Sequence, residues 1–243
     1  MSAIRARLAE VRLGATLRIS FCIADVDAFR FDAGQYTAIQ LDNEHALTLS
    51  IASAPSRLPM VRTLFRPTPG DPSSDALLER LKSARTLSLA PPAGDVRWPM
   101  PDEATQPSTD RDAPALLVGA GTGAAQVFAV LEMALDCCPD RLGRFDALLL
   151  AADDASQLEH EDEAAWMAAG AKITRVCDSA TDDTNAGFQW LRDRADQWCG
   201  HPNLRVLLGG SPPFVYAAHD VLVSHGVRPD ALESDVYAYA PRA

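Results

Sequence analysis

Two glycine-rich segments lie at positions where backbone amides could bind an anionic ligand. VGAGTGAA (118–125) and GGSPPF (209–214) each follow an apolar run. Glycines between a strand and a helix let backbone N–H groups approach a phosphate, and the helix N-terminus adds partial positive charge. The first segment fits the G-x-G-x-x-A form of the dinucleotide fingerprint, although no acidic residue closes a following strand about 20 positions on. The alternatives are a tight turn that needs small residues for packing and, in the second segment, a helix that starts at proline.

A third segment carries candidate hydroxyl groups. HALTLSIASAP (45–55) ends like a flavin-binding strand, with Ser50 and Ser53 followed by Ala54 and Pro55. A hydroxyl such as that of Ser50 can hydrogen-bond the edge of an isoalloxazine ring. Serine is also ordinary in an exposed strand, so both interpretations stay open at this point.

The composition excludes several classes of function. A net charge of −11 over 243 residues disfavours a surface for nucleic acid or an anionic membrane, which needs clustered positive charge. No apolar run approaches the roughly 20 residues that span a bilayer, and the N-terminus lacks an apolar stretch of signal-peptide type. We therefore expect a cytoplasmic protein with no nucleic-acid and no membrane partner.

The cysteines and histidines lack the spacing of a metal site. The five cysteines contain no C-x-x-C, and the five histidines are scattered. Cys137 and Cys138 are adjacent, so on a helix their side chains point about 100° apart. We predict no zinc, no iron–sulfur cluster and buried free thiols. The sequence also lacks G-x-S-x-G and a P-loop.

The first half of the chain has the pattern of short β-strands. In TLRISFCIAD (16–25) apolar and polar residues alternate with the period of a half-buried strand. A helix is predicted from Ser73, and many short strands with one helix favour a small antiparallel barrel. The other predicted strands are 36–41, 47–53, 60–65 and 86–90.

The second half alternates strands with helices. This rhythm predicts a parallel sheet with right-handed crossovers, and the polar, Pro-rich residues 99–113 before it predict a linker. SDVYAYA (234–240) reads as a final alternating strand. The predicted strands are 145–151, 171–177 and 204–210, and the predicted helices are 156–168, 186–199 and 213–225.

Together these segments resemble the ferredoxin–NADP reductase superfamily, and within it the small bacterial NAD(P)H-flavin oxidoreductases. The resemblance rests on the order of FRFDAGQYTAIQLD, LSIASAP, PAG at 92–94, PALLVGAGTG, VLLGGSPPF and LESDVYAYA. It implies a six-stranded antiparallel β-barrel of flavin-binding type in residues 1–98. A five-stranded parallel α/β nucleotide-binding domain is implied in residues 114–243, after the linker.

The resemblance also implies hydride transfer from NADH or NADPH to N5 of a flavin in the cleft between the domains. It makes Ser50, which resembles the serine beside N5, and Asp235, which resembles an acidic residue near the flavin, the catalytic candidates. The other positions it assigns to cofactors are Tyr36, Leu47, Leu49, Ile51 and Tyr237 at the flavin, Gly70 and Ser73 at a pyrophosphate, and Gly121, Thr122, Gly123, Asp153, Gly209, Gly210 and Pro212 at the nicotinamide nucleotide.

Two departures from the family pattern bear on the ligands. The family strand R-x-Y/F-S is here Leu47-Thr48-Leu49-Ser50, and leucine neither pairs with a flavin phosphate nor stacks on the ring. We therefore predict a loosely held flavin (FMN, FAD or riboflavin) that comes and goes as substrate.

The family's G-G-R or G-A-R is replaced by residues 151–154, AADD. Carboxylates repel a 2′-phosphate, which predicts NADH over NADPH; two solvated loop aspartates are the alternative.

Three functions compete at this stage. The first is a reductase of free flavin or of a flavin-carrying partner oxygenase, and Ser50, the glycine segments and Asp235 favour it. The second is a non-catalytic binding or regulatory protein with weak or no flavin binding, which the substitutions at 47, 49 and 153 favour. The third is an FAD-holding reductase that passes electrons to a protein partner, and it rests on Gly70 and Ser73.

Overall fold

The first half of the chain forms a six-stranded antiparallel sheet, as predicted. The computed structural model describes residues 3–42, 45–98, 113–180 and 184–242. The strand order is β4-β3-β6-β1-β2-β5, and a bridge between Ile51 and Thr63 joins the end of β4 to β5, which curls the sheet into a barrel. The strands are β1 (Ile4–Arg12), β2 (Leu17–Ile23), β3 (Tyr36–Gln40), β4 (Ala46–Ser50), β5 (Met60–Phe65) and β6 (Thr86–Leu89).

Strand β1 is an element that the sequence pattern did not reveal. It pairs with β2 on one side and β6 on the other, and its first residues alternate between buried Ile4 and Ala6 and exposed Arg5 and Arg7. A register shift then lies between Leu8 and Glu10. Such a bulge interrupts the period of two, so the apolar alternation is too short to identify the strand.

Helix α1 (Pro72–Ser83) closes one end of the barrel. It begins one residue before the predicted Ser73 because Pro72 occupies the first helical position, which suits a residue without an N–H. Asp71 caps the helix by accepting the amide N–H of Ser74 at 2.7 Å. Leu77 of α1 is fully buried with the barrel residues, so this helix completes the barrel core.

The second half forms a five-stranded parallel sheet with helices, also as predicted. The strand order is β11-β10-β7-β8-β9, so β7, which runs into the first glycine segment, is central. The strands are β7 (Ala115–Ala120), β8 (Phe145–Ala151), β9 (Lys172–Cys177), β10 (Arg205–Gly209) and β11 (Leu232–Glu233), and the helices are α2 (Ala124–Cys137), α3 (Glu163–Ala168), α4 (Ala186–Arg194), α5 (Pro212–Ser224) and α6 (Val236–Tyr239).

Two helix predictions in this half were too long. Helix α3 begins at Glu163 rather than at 156, because the ring of His160 turns inward onto Trp166 with centroids 4.4 Å apart. Arg175 also donates to the carbonyl of Leu158 at 2.7 Å, which holds the segment before the helix in a non-helical path. Helix α4 ends at Arg194 and passes into a 3-10 turn.

The predicted C-terminal strand was wrong. Strand β11 is two residues long, and the chain then forms helix α6. The chain leaves the sheet at Ser234, whose hydroxyl accepts the amide N–H of Val236 at 3.3 Å, and Asp235 turns its carboxylate toward the barrel. The helical path places alternate tail residues on opposite sides, where a strand would align them.

The two domains share one apolar cluster built around α2. Eleven consecutive α2 residues, 124–134, are buried. Their cluster includes Ala54 and Leu64 from the barrel and Leu117 and Leu207 from the parallel sheet. The barrel and the sheet are therefore packed against the same helix.

Three further expectations need comment. Residues 99–112 of the predicted linker lie outside the described residues. The five cysteines are free, but Cys177 and Cys199 are exposed and the other three are half-buried, so the expectation of buried thiols was wrong. No helix within the described part of the chain is long and apolar enough to cross a membrane.

Candidate active site in the interdomain cleft

A cleft of about 480 Å³ lies between the barrel and the parallel sheet. Its volume is in the range of small-molecule sites. The barrel contributes a rim, the sheet contributes both glycine segments, and the C-terminal tail closes one side. The lining residues are Tyr36, Thr48, Ser50, Thr122, Gly123, Gln126, Gly209, Gly210, Ser234, Asp235, Val236 and Tyr239.

The barrel rim is set by the alternation of β4. Leu49 is buried in the barrel cluster, whereas its neighbours Thr48 and Ser50 line the cleft. This follows from the period of two in a strand, which sends successive side chains to opposite faces. Tyr36 on β3 pairs with Ser50 and brings its ring to the same rim. The Ser50 hydroxyl makes no hydrogen bond with a described residue, so it is available to a ligand.

The two glycine segments meet at the floor of the cleft. A Cβ on Gly123 would lie 2.2 Å from the carbonyl carbon of Gly209, and a Cβ on Gly209 would lie 2.6 Å from the oxygen of Gly123. Real Cβ atoms do not approach this closely, so both positions require glycine for packing. This contact accounts for the two glycines without a ligand, and it brings the ends of β7 and β10 together.

The N-terminus of α2 begins at this floor, where Ala124 donates its amide N–H to the carbonyls of Gly121 and Thr122. The helix begins at Ala124 after a 3-10 turn over Gly121–Gly123, and no side chain caps it. The first amide N–H groups of a helix have no partner within the helix, and together they carry partial positive charge. Because Thr122 and Gly123 line the cleft, this end of α2 is suited to a phosphate or another anionic group.

Asp235 and Gln126 tie the domains together beside the cleft. Oδ1 of Asp235 accepts the amide N–H groups of Asp95 and Val96 at 3.1 and 3.2 Å. Oδ2 accepts Nε2 of Gln126 at 3.0 Å, and the same Nε2 donates to the carbonyl of Gly34 at 2.5 Å. Burial raises the pKa of Asp235, and the amides of Val96 and Asp95 oppose this rise. The carboxylate is therefore positioned by both domains and holds a proton to higher pH than an exposed aspartate.

Comparison with known proteins identifies the architecture. No family model matches the sequence. Reductase component 2 of terephthalate 1,2-dioxygenase from Comamonas is 32% identical over 103 residues, which is 42% of this chain and 28% of the relative. The Amycolatopsis cytochrome P450 reductase GcoB superposes with a TM-score of 0.79 at 21% identity, covering 96% of this chain and 69% of that chain. The Plasmodium falciparum ferredoxin–NADP⁺ reductase with 2′P-AMP gives 0.69 at 12%, covering 96% and 95%. The chain has the ferredoxin–NADP reductase fold.

The same fold occurs in a domain that is named for FAD and NAD binding. The flavohem-like FAD/NAD binding domain of nitric oxide dioxygenase from Vibrio cholerae superposes with a TM-score of 0.71 at 17% identity, covering 96% of this chain and 97% of that chain. The superpositions establish the shared fold. At these low identities, the ligands follow only from the residues of this chain.

The residues present suit a flavin ring better than a flavin phosphate. The cleft offers the free Ser50 hydroxyl, the Tyr36 ring and a glycine floor, which suit a flat polar-edged ring system. Among the described residues that line it, none is an arginine or lysine. Leu49 and Ile51, which the sequence placed at the flavin, lie in the barrel core, and Leu47 packs against that core.

The predicted tail aromatic points away from the cleft. The Tyr237 ring packs on Tyr216 and His219, each with a centroid distance of 5.8 Å, and burial raises its pKa to about 12. Tyr239 lines the cleft instead. The reason is the helix: residues two positions apart on α6 point about 200° apart, whereas on the expected strand they would share a face.

The predicted pyrophosphate turn does not line the cleft. Gly70 adopts a positive φ of 78° in the turn before α1, where a left-handed conformation favours glycine. Ser73 lies in the first turn of α1, but Asp71 already accepts an amide there. A carboxylate at a helix N-terminus satisfies the site that a pyrophosphate would use and repels it. This weakens the FAD-holding interpretation.

The remaining predicted nucleotide residues border the cleft or lie beside it. Gly121 adjoins a shallow second pocket at the end of β8, together with Ser156 and Arg175. Exposed Asp153 accepts the amide of Ser156 at 2.8 Å and its hydroxyl at 2.5 Å, and these bonds lower its pKa. Pro212 begins α5 and is not among the residues that line the cleft.

Sequence reasoning missed five lining residues. One of them had a visible signal, because Gln126 and Glu132 are polar residues in the otherwise apolar run AAQVFAVLEMAL. Buried polar side chains in such a helix need partners. The missed residues are Thr48, Gln126, Ser234, Val236 and Tyr239.

Proposed function

We propose that this protein is a nicotinamide-dependent oxidoreductase in which hydride passes between NAD(P)H and a flavin in the interdomain cleft. The observation that carries the proposal is the convergence of the free Ser50 hydroxyl, the uncapped N-terminus of α2 and the Asp235 carboxylate on one cleft. The similar proteins, a dioxygenase reductase component and a cytochrome P450 reductase, support the same reaction class.

The residues would divide the work by position. Ser50 donates its hydroxyl hydrogen to the edge of a bound flavin, and Tyr36 bounds the ring beside it. The amides of Thr122 and Gly123 receive an anionic part of the nucleotide. When bound, the flavin supplies the hydride-accepting chemistry, and the chain contributes orientation and exclusion of water. Asp235 and Gln126 keep the rim and the floor at a fixed separation.

The flavin would be loosely held. The cleft lining lacks a described cation for the phosphate, and a lost charged hydrogen bond of about 1.5–3 kcal/mol lowers affinity roughly 10- to 150-fold. A flavin that exchanges freely then serves as substrate, and the reduced flavin or its electrons pass to a partner such as an oxygenase. Because the phosphate adds little, riboflavin, FMN and FAD should be used with similar KM values.

The test is oxidation of NADH by the purified protein with each flavin in turn, followed by loss of NADH absorbance. We expect turnover with all three flavins. No turnover, together with no quenching of flavin fluorescence on titration with the protein, contradicts the proposal. Saturable quenching without turnover favours the second candidate, a non-catalytic binding protein, which Leu49 in the core and Asp71 at the α1 N-terminus support.

NADH should be preferred over NADPH because Asp153 presents an exposed carboxylate just after β8, the strand that pairs with β7 up to Ala120, the residue before Gly121. Asp153→Asn keeps an oxygen that can cap Ser156 but removes the charge. We expect this variant to raise kcat/KM for NADPH relative to NADH. Glu79→Gln, on exposed α1, is the control with the same charge change. A wild-type preference for NADPH, or equal ratios in both variants, contradicts the assignment.

A further inference from the structure

A second groove, of about 350 Å³, lies on the outer face of the barrel beside the second domain. It shares no lining residue with the cleft. The register brings its basic residues together, since Arg12 pairs with Arg18 across β1 and β2, and Ser20 pairs with Arg62 across β2 and β5. The lining residues are Glu10, Arg12, Arg18, Ser20, Arg57, Met60, Arg62 and Glu161.

Three of the four arginines have carboxylate partners. Arg12 pairs with Glu10 at 3.0 Å. Arg57 pairs with Asp136 at 2.9 Å. Arg62 pairs with Glu161 at 2.5 Å. The last two pairs hold the groove walls in place across the domain boundary, because Asp136 and Glu161 belong to the second domain.

Arg18 is the exception. It makes no hydrogen bond and no ion pair with the described part of the chain. It is half-buried, and its pKa is lowered first by burial and then by the positive charges of Arg12 and Arg62, which the carboxylates of Glu161 and Glu159 oppose. A charge that is partly removed from water and faces like charges is stabilised when an anion binds next to it.

The positive charges of the groove arginines also act on His160. Buried His160 has its pKa lowered to about 3, mainly by burial and then by Arg62, Arg18 and Arg57. Three groove arginines therefore act on one neighbouring ring. Glu10 and Glu161 also line the groove, so the guanidinium open to an anion is that of Arg18, the lining arginine without a carboxylate partner among the described residues.

We propose that the groove binds a small organic anion, whose carboxylate or phosphate pairs with the guanidinium of Arg18 and whose apolar part lies against Met60. A guanidinium binds two oxygens of such a group at once. Ser20 supplies a hydroxyl at the same wall and makes no hydrogen bond with a described residue. The groove volume exceeds what one inorganic ion needs, which favours an anion with a short carbon skeleton.

The test is isothermal titration of the full chain with benzoate, benzamide and inorganic phosphate at constant ionic strength. We expect saturable binding of benzoate or phosphate and none of neutral benzamide. Arg18→Gln should weaken binding about tenfold or more, the loss of one charged hydrogen bond. Arg30→Gln, which removes an exposed arginine paired with Asp27, should bind like wild type. Saturating riboflavin, which carries no phosphate, should leave binding unchanged.

The opposite results overturn the proposal. These are no saturable binding of either anion, equal binding by Arg18→Gln and wild type, or displacement of the anion by riboflavin, which would place it in the cleft. If Arg18→Gln does not fold, Arg18→Lys replaces it, and undiminished binding by that variant contradicts the role of the guanidinium. None of these outcomes bears on flavin reduction, which is measured separately by NADH oxidation.

Discussion

At the scale of residues, the site depends on which way each β4 side chain points. Leu49 faces the barrel core, and Ser50 faces the cleft. At the two positions where the resemblance implies an arginine and an aromatic residue, Leu47 and Leu49 therefore add apolar contact to the barrel. Ser50 keeps its place because it lies on the opposite face.

Ser50→Ala should slow NADH oxidation with FMN by about 2- to 12-fold, because one neutral hydrogen bond to the flavin of about 0.5–1.5 kcal/mol is lost. The free energy of unfolding should not change, since the hydroxyl has no described partner. Ser88→Ala, an exposed serine on β6, is the matched control. Equal turnover by the two variants would remove Ser50 from the mechanism.

Asp235→Asn should change how stability depends on pH. The pKa of Asp235 is raised above 3.8, so the folded protein holds this proton more tightly than the unfolded chain. The stability contributed by the protonated form is present below pH 3.8 and is lost as pH rises through the raised pKa. As the pH rises from 3.8 through the raised pKa, the free energy of unfolding of wild type should therefore fall relative to that of Asp235→Asn. Urea unfolding of both proteins at a series of pH values measures the difference, and a constant difference would contradict the burial argument.

At the scale of elements, helix α2 connects the cleft with the interface between the two domains. Its first turn lines the cleft, and Glu132, about 9 Å further along at 1.5 Å per residue, is fully buried at the domain boundary. Oε2 of Glu132 accepts the amide of Ala54 at 2.6 Å, and Oε1 pairs with Arg62 and Arg57. Burial raises the pKa of Glu132, opposed by Arg62, the Ala54 amide and Arg57.

Glu132→Ala should destabilise the protein by about 3 kcal/mol, because it leaves the Ala54 amide without its acceptor and leaves Arg62 paired only with the exposed Glu161. Arg62 retains some exposure, which places the expected loss at the lower end for a buried pair. Glu79→Ala breaks an exposed pair with Lys82 and should cost less than about 1 kcal/mol. Urea unfolding measures both variants. Similar losses for the two variants would show that Glu132 does not hold the domains together.

At the scale of the whole molecule, the sequence predicted the architecture because its signals are local. Apolar alternation identified most barrel strands, and glycines after apolar runs marked the ends of β7 and β10. The contact of Gln126 with Asp235 joins residues 109 positions apart, and no local pattern records it. The predicted C-terminal strand was wrong for a related reason. SDVYAYA alternates like a strand, but Asp235 accepts an amide N–H from the barrel, and the chain then forms α6.

The proposed reaction site is complete only where the two domains meet. The rim bearing Ser50 belongs to the barrel, and the floor bearing Gly123 belongs to the parallel sheet. A side chain that fills the gap between them should stop the reaction without disturbing either core. Thr48 is suited to this purpose because it is exposed, lines the cleft and lies outside the barrel cluster.

The most direct test is therefore FMN binding and NADH oxidation by Thr48→Trp, compared with Ser88→Trp on an exposed position of β6. We expect Thr48→Trp to lose both FMN fluorescence quenching and turnover, while Ser88→Trp retains both. Undiminished quenching and turnover in a folded Thr48→Trp protein would show that nicotinamide and flavin do not meet in this cleft.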